Sequence, residues 1–321
     1  MGQWHRDPRE ALYSTMSESN TPTDQSQPSR APSRSAIYLP AIDPPPATIL
    51  AYLLERFPHV GREQWERRMH AGDVAIAGGG GVTTETPYRA GIKVTYFRQV
   101  EEEEPIPFQE RVLFRGEHFI IADKPHFLPV VPSGPYVNEC LLFRLKRSTG
   151  IDDLTPVHRL DRETAGLVLF AVDPGTRPLY HRLFAEGAIT KEYRAVGRVA
   201  GELEGREWRI EDRLVPGEPW FRMEIAPGEP NASTRIVLEE RAGDLASFRL
   251  FPATGKKHQL RIHLNALGAP IVNDQLYPTV WPQAPYDFRY PLQLLARRLA
   301  FRDPVSRKEM EFESERSLLL P

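Results

Sequence analysis

Cysteine is nearly missing: the 321 residues hold one, Cys140, so no internal disulfide can form. A lone thiol with no Cys or His partner at ligand spacing also argues against a structural zinc site, and no metal is expected. Long hydrophobic runs are lacking too. The longest, residues 165–172, is far short of the ~20 apolar residues of a membrane-spanning helix. No apolar stretch near the first residue resembles a secretory signal, and the default setting is reducing and cytoplasmic, with no membrane partner. Nor is there a surplus of either charge: 41 basic and 43 acidic residues leave a net charge of −2, so a nucleic-acid partner must be sought in local patches. What is present is a globular composition, 40% hydrophobic and 26% charged, over a length that allows about two domains.

Residues 1–46 hold eight Pro and seven Ser with little apolar content, and are expected to be a disordered tail. The pattern changes at Thr48. Ile49, Leu50, Leu53, Leu54 and Phe57 recur at helical spacing, and Trp65 and Met69 suggest a second helix after Arg62. Val74 and Ile76 alternate, four glycines at 78–81 make a turn, and Ile92, Val94 and Tyr96 alternate again. Residues 47–100 therefore read as a small helix-helix-strand domain. Four glutamates at 101–104, followed by Pro105 and Pro107, read as an exposed linker over 101–107.

A second domain spans residues 108–321. Strands are expected at 119–122, 166–172, 193–199, 235–238, 247–251 and 298–301, and helices at 177–186 and 258–267. Strands outnumber helices, and several are separated by turns too short for a crossover helix. The expected fold is α+β, with a mixed, largely antiparallel central sheet.

Three segments of this domain carry chemistry. In Pro156-Val157-His158-Arg159-Leu160-Asp161-Arg162-Glu163-Thr164-Ala165-Gly166, charges are packed against an apolar strand. Arg159 and Arg162 flank Asp161 and favour its ionised form, which suits a nucleophile, an anion that stabilises a cation, or a structural ion-pair loop. In Lys191-Glu192-Tyr193-Arg194-Ala195-Val196, a strand places Lys191, Tyr193 and Ala195 on one face; Tyr193 is either a stacking platform for a nucleobase or a core tyrosine. In Thr254-Gly255-Lys256-Lys257-His258-Gln259-Leu260-Arg261-Ile262-His263, basic side chains cluster without one acid. Lys256 and Lys257 fall at an expected helix start, where backbone N–H groups also favour phosphate. His258 and His263 are five apart, about 140° around a helix, a poor zinc pair. His258 otherwise satisfies a buried backbone group.

Together these segments resemble the RluA-type pseudouridine synthases, whose fingerprint is H-R-L-D-x-x-T-x-G, then K-x-Y-x-A, then G-x-x-H-Q-[IL]-R-x-H. The resemblance covers roughly residues 108–312, and Asp123-Lys124-Pro125 matches the family's early strand end. It implies RNA, ribosomal or transfer, as partner. The implied reaction breaks the uridine N-glycosidic bond, rotates the uracil and joins its C5 to the ribose, with no metal, nucleotide or other cofactor. It also implies that Asp161 is the catalytic aspartate, Tyr193 the tyrosine packed on the target base and Arg261 the arginine paired with the aspartate. Arg159 matches the side chain that replaces the flipped nucleotide, and Leu260 an aliphatic contact; Lys256, Lys257 and His258 complete the substrate-binding set. Two positions depart from the family pattern: Lys256-Lys257 stands for Arg-Thr, and Asn273-Asp274 for Gly-Asp. Residues 126–150 look like an insert.

Residues 47–100 resemble the RNA-binding domain named after ribosomal small-subunit protein four, in which Arg62, Arg67, Arg68 and Arg89 would meet phosphates; a plain solvated helix face is the other reading. A monomer is expected. Two competing functions remain. One is a glycosidase using Asp161 and Glu163, which are expected to point opposite ways and would leave the basic segment unexplained. The other is a catalytically idle RNA-binding or assembly factor.

Overall fold

Apolar residues at helical spacing do fold as helices in the first part of the chain. The computed structural model describes residues 29–100, 103–281 and 287–318. Here β1 (Ser29–Tyr38), β2 (Val74–Ile76) and β3 (Lys93–Val100) form an antiparallel sheet in the order β1-β3-β2, with α1 (Ile49–Arg56) and α2 (Arg62–His70) as its helices. The Thr48 hydroxyl caps α1 by accepting the Ala51 N–H at 3.1 Å. Ile49, Leu53, Trp65, Met69, Val74 and Val94 bury the apolar faces in one core.

Two expectations are corrected here. The tail expected to be disordered through residue 46 includes a strand from Ser29, while residues 1–28 lie outside the described residues. The strand accommodates Pro32 because β1 is an edge and the residue falls where the register shifts between Arg30 and Arg34, so its missing N–H breaks no ladder. Arg30 bonds Asp73 at 2.6 Å and lies over the Phe97 ring at 3.6 Å; Arg34 donates to the carbonyls of Gly72 and Asp73. The linker is not fully exposed either. Glu103 accepts the N–H groups of Val137, Asn138 and Glu139 at 2.6–2.7 Å, a backbone nest that offsets the repulsion expected among the glutamates, and Ile106 is buried.

The rest of the chain runs β4 (Arg111–Arg115), β5 (Phe119–Lys124), α3 (Leu141–Thr149), β6 (Thr155–Pro156), β7 (Ala165–Ala171), α4 (Arg177–Ala185) and β8 (Ile189–Arg198). It continues with β9 (Glu207–Pro216), β10 (Met223–Ala226), β11 (Ala232–Ala242), β12 (Leu245–Pro252), α5 (Gln259–Ala266), β13 (Leu294–Arg302) and β14 (Glu309–Glu313). The sheet order is β10-β9-β11-β12-β8-β13-β7-β5-β4, with β14 beside β13 and β6 beside β7. Among the described residues only the β13–β7 pairing is parallel, so the fold is α+β with a mixed, largely antiparallel sheet.

Strand alternation builds the layers. Ile120, Val168 and Phe170 join Leu141 and Leu145 of α3 in one core, while Phe119, Ile121, Leu167 and Leu169 join Tyr180 and Leu183 of α4 in another. Farther along the sheet, Ala195, Ile236, Phe248 and Leu250 pack on Leu260 and Leu264 of α5. No helix among the described residues is long and apolar enough to cross a membrane.

Candidate active site

Asp161 sits in the turn that leads into β7. The turn is closed by the Thr164 N–H, which donates to the Asp161 carbonyl at 3.2 Å. Two residues later Gly166 has φ +112°, and a Cβ there would lie 2.3 Å from the Ala296 carbonyl oxygen. Glycine is needed at this point for both reasons, because β7 and β13 pair in register at Gly166 and Ala296.

Three side chains, Lys124 buried and His126 and His158 half-buried, hold the turn. Lys124, fully buried at the end of β5, donates to the carbonyls of Pro125, Leu128 and Arg162 at 3.0, 2.7 and 3.0 Å. Burial pulls its ammonium down to about 7, against Glu163 and Asp161, which favour the charged form. His126 Nδ1 lies 2.7 Å from the Glu163 carbonyl. His158 accepts the Leu169 N–H at Nε2, which places its proton on Nδ1, and its ring stacks on Phe184 at 4.4 Å. Burial, with Lys191 adding to it, pushes His158 down to about 3, so it is neutral.

The cation at Asp161 is not one of its sequence neighbours. Arg162 turns away to Glu163 at 2.8 Å and to the Tyr136 ring, and Arg159 is exposed. Arg261, 2% exposed near the start of α5, reaches Asp161 Oδ2 at 3.4 Å through Nη1. Its shorter bonds go to Asp274, which takes Nε and Nη2 in a fork at 2.8 and 2.7 Å. Burial works against this guanidinium's charge, but the Asp274 bonds and charge, then Asp161 and Glu163, raise its pKa above the ordinary value. Asp274 also accepts the N–H groups of Leu276 and Tyr277.

On β8, Lys191 and Tyr193 line the same cleft, while Glu192 faces away and pairs with Arg249 at 2.9 Å through both oxygens. Tyr193 packs against the α5 core and also borders the cleft. Burial, then the charge of Asp161, raises its hydroxyl pKa.

Lys256 and Lys257 are exposed and precede α5 rather than forming its first turn, because His258 takes the left-handed conformation at φ 56°. Gln259 holds this loop: its Oε1 accepts the Lys256 N–H at 3.0 Å, and its Nε2 donates to the Ser233 carbonyl and Thr234 hydroxyl. His258 Nδ1 meets the Tyr277 hydroxyl at 2.9 Å, a side chain rather than the expected backbone group, and burial lowers it to about 4. His263 Nδ1 bonds Thr234 at 2.8 Å. Among the described residues, no group of three or more His, Cys, Asp or Glu is arranged to hold a metal.

The parts meet at a cleft of about 730 Å³, lined by Arg159, Asp161, Tyr193, Lys256, Lys257, His258, Leu260 and Arg261. All eight residues singled out in the sequence therefore border one space. Glu163 lines it too, so Asp161 and Glu163 border the same cleft rather than opposite sides of the turn. The sequence-based reading missed the bidentate role of Asp274 and the anchoring role of Lys124. A signal for Asp274 exists: the basic segment 254–263 has no acid of its own, so a buried arginine in it must take a carboxylate from elsewhere.

Comparison with known proteins adds independent support. A family profile described as RNA pseudouridylate synthase matches residues 118–266. An uncharacterized RNA pseudouridine synthase of Synechocystis is 32% identical over 231 residues, covering 71% of this chain and 79% of that protein. The dual-specificity RNA pseudouridine synthase RluA of Pasteurella multocida is 33% identical over 207 residues, covering 63% of this chain and 91% of that protein. The solved structure of human RNA pseudouridylate synthase domain containing 1 superposes with a TM-score of 0.53 at 24% identity, over 67% of this chain and 86% of that one, which speaks to the fold alone.

Proposed function

We propose, from the fact that this chain belongs to the RluA-type RNA pseudouridine synthases, that Asp161 is the carboxylate with which it isomerises uridine in structured RNA. One observation carries this reading. A carboxylate, an aromatic ring and a buried guanidinium, from three segments distant in sequence, border one cleft of about 730 Å³. Pockets of this order hold small organic groups.

The C1′–N1 bond breaks, the uracil turns, and C5 bonds to C1′. C5 loses a proton and N1 gains one, so the product is an isomer and the reaction draws no atom or electron from outside. A stacked uridine is out of reach, and flipping it out costs a few kcal/mol. Arg159, exposed at the mouth, takes the vacated place in the RNA. Tyr193 and Leu260 receive the ring. Asp161 then faces the ribose, where positive character develops as the glycosidic bond weakens. Arg261 fixes that carboxylate in a partly dry pocket, and Asp274 fixes Arg261. Lys256 and Lys257 meet phosphates at the rim.

The target is a ribosomal or transfer RNA. The unit built from β1 to β3 adds phosphate contacts through its exposed Arg67 and Arg89, and the enzyme works as a cytoplasmic monomer. The test is Asp161→Asn, which keeps volume and removes charge. Tritium release from C5-labelled uridine in unmodified tRNA and rRNA transcripts should vanish, while melting temperature and RNA affinity stay nearly unchanged. Retained turnover refutes the assignment.

A further inference from the structure

The turn joining β9 and β10 carries the most exposed large apolar side chain among the described residues: Trp220 is 80% exposed. A single exposed apolar residue needs no explanation, but this one sits on an ordered turn. The Gly217 N–H donates to the Arg222 carbonyl at 3.2 Å, and the Arg222 N–H to the Pro219 carbonyl at 2.8 Å. Phe221 meets the Trp220 ring edge-on at 5.7 Å.

The turn is also fastened to the catalytic cleft. Arg222 lies over the Tyr277 ring at 4.9 Å and donates to the Pro278 carbonyl at 3.1 Å. Next along the chain, the Met223 N–H donates to the Tyr277 hydroxyl at 2.9 Å. That same hydroxyl meets His258, a lining residue of the cleft. Trp281, 40% exposed on the segment that follows Tyr277, donates its indole N–H to the Asp274 carbonyl at 2.8 Å. Tyr277 therefore joins the turn that carries Trp220 to His258 in the cleft wall.

We propose that Trp220 is a stacking platform for an unpaired nucleobase of the RNA that enters this cleft. The inference rests on the function proposed above and extends it to a neighbour of the target uridine. Flipping a nucleotide out of a stack leaves adjacent bases without a partner, and an indole face accepts any of them. The exposed acid Glu218 on the same turn makes this a poor phosphate site, so recognition runs through the ring face rather than through charge.

The test compares the intact chain with Trp220→Ala and Trp220→Phe for binding to polyuridylate, an unstacked single strand, and to fully paired RNA. Loss of one base stack weakens polyuridylate binding by about fivefold or more. The expected result is that loss in Trp220→Ala, near-complete retention in Trp220→Phe, an unchanged salt slope, and no effect on duplex binding. Equal polyuridylate affinity for all three proteins overturns the inference, as does failure of the intact chain to bind that probe. A change in oligomeric state in Trp220→Ala by sedimentation, with RNA binding intact, would assign the ring to a contact between copies and also overturn it. Tritium release by the intact chain is measured in parallel: its absence refutes the proposed function, whereas its presence with unaltered Trp220→Ala binding refutes only the platform.

Discussion

Arg261 bridges two carboxylates that differ sharply in their surroundings, and a double-mutant cycle can separate them. Asp274 has a fully buried side chain and a two-pronged bond at 2.7–2.8 Å, whereas Asp161 is 29% exposed and joined by one contact at 3.4 Å. Arg261→Met strands the Asp274 charge, leaving it the N–H groups of Leu276 and Tyr277, and Asp274→Asn leaves the guanidinium one amide oxygen in place of a carboxylate, with the looser Asp161 contact as its charge partner. Breaking a buried pair from one side costs about 3–5 kcal/mol, because an uncompensated charge stays behind. Removing both charges together relieves that penalty, so the Arg261/Asp274 cycle should show a coupling of about 2–3 kcal/mol. The Arg261/Asp161 cycle should show about 1 kcal/mol or less, the range for partly exposed pairs. Urea unfolding of the intact enzyme measures this, with unchanged m-values as the check on two-state behaviour. Turnover should follow a different order: Asp161→Asn removes it, Asp274→Asn lowers it through loss of positioning, and Arg261→Lys keeps part of it, since an ammonium supplies charge without the planar fork. A stability coupling to Asp161 as large as that to Asp274, or a cost below about 1 kcal/mol for Asp274→Asn, would refute this account of the site.

Acid lability should trace to three histidines, His126, His158 and His258, whose pKa values burial pushes down to about 4, 3 and 4. Between those values and the ordinary ~6.5 the unfolded chain binds protons that the fold refuses, so these histidines cost nothing above about pH 6.5 and destabilise as pH drops, by about 2 kcal/mol per histidine by pH 5; urea midpoints at stepped pH test it, and a wild-type slope retained in His158→Gln removes His158 from the account. In the unit built from β1 to β3, Arg67→Ala and Arg89→Ala should each flatten the log-log salt dependence of RNA binding by about 0.7–0.9. Arg68→Ala should instead lower the melting temperature and leave the slope alone, because Arg68 is 4% exposed and donates to the Gln99 carbonyl at 3.1 Å; a flattened slope there would contradict this division.

The sheet was legible where strands are apolar on a buried face and obscure where they alternate charge. Residues 119–122 and 166–172 announce β5 and β7 because both faces of each strand are buried. In β9, Arg209, Glu211 and Arg213 occupy the solvent face, and on the other Asp212 interrupts Trp208, Ile210 and Leu214, a pattern that apolar content alone passes over. β1 escaped for a related reason. Averaged over 46 residues, proline and serine hide a strand whose attachment depends on Arg30 and Arg34 meeting Asp73 and Phe97, contacts that no local periodicity encodes. α3 was hidden inside what looked like an insert, although Leu141 and Leu145 lie one turn apart and Gly150 ends the helix at φ 71°.

The residues that border the cleft were legible because the three segments that carry them stand out by charge and residue type: a carboxylate, a ring and a guanidinium. What the motifs did not disclose is the support beneath them. Lys124, Gln259 and Asp274 act by holding backbone or side chains in place, and each has a partner well away in sequence, Arg162, Thr234 and Arg261 respectively, of which spacing carries no trace. The departure at Asn273 makes the same point from the other side. A glycine is usual there, and Asn273 has φ 63°, the left-handed region that glycine enters freely and asparagine tolerates better than other side chains. Its amide also donates to the Pro291 carbonyl at 3.0 Å. The exchange therefore preserves the one feature the position must deliver, a backbone turn that sets Asp274 against Arg261, because that feature depends on a dihedral angle and not on the letter.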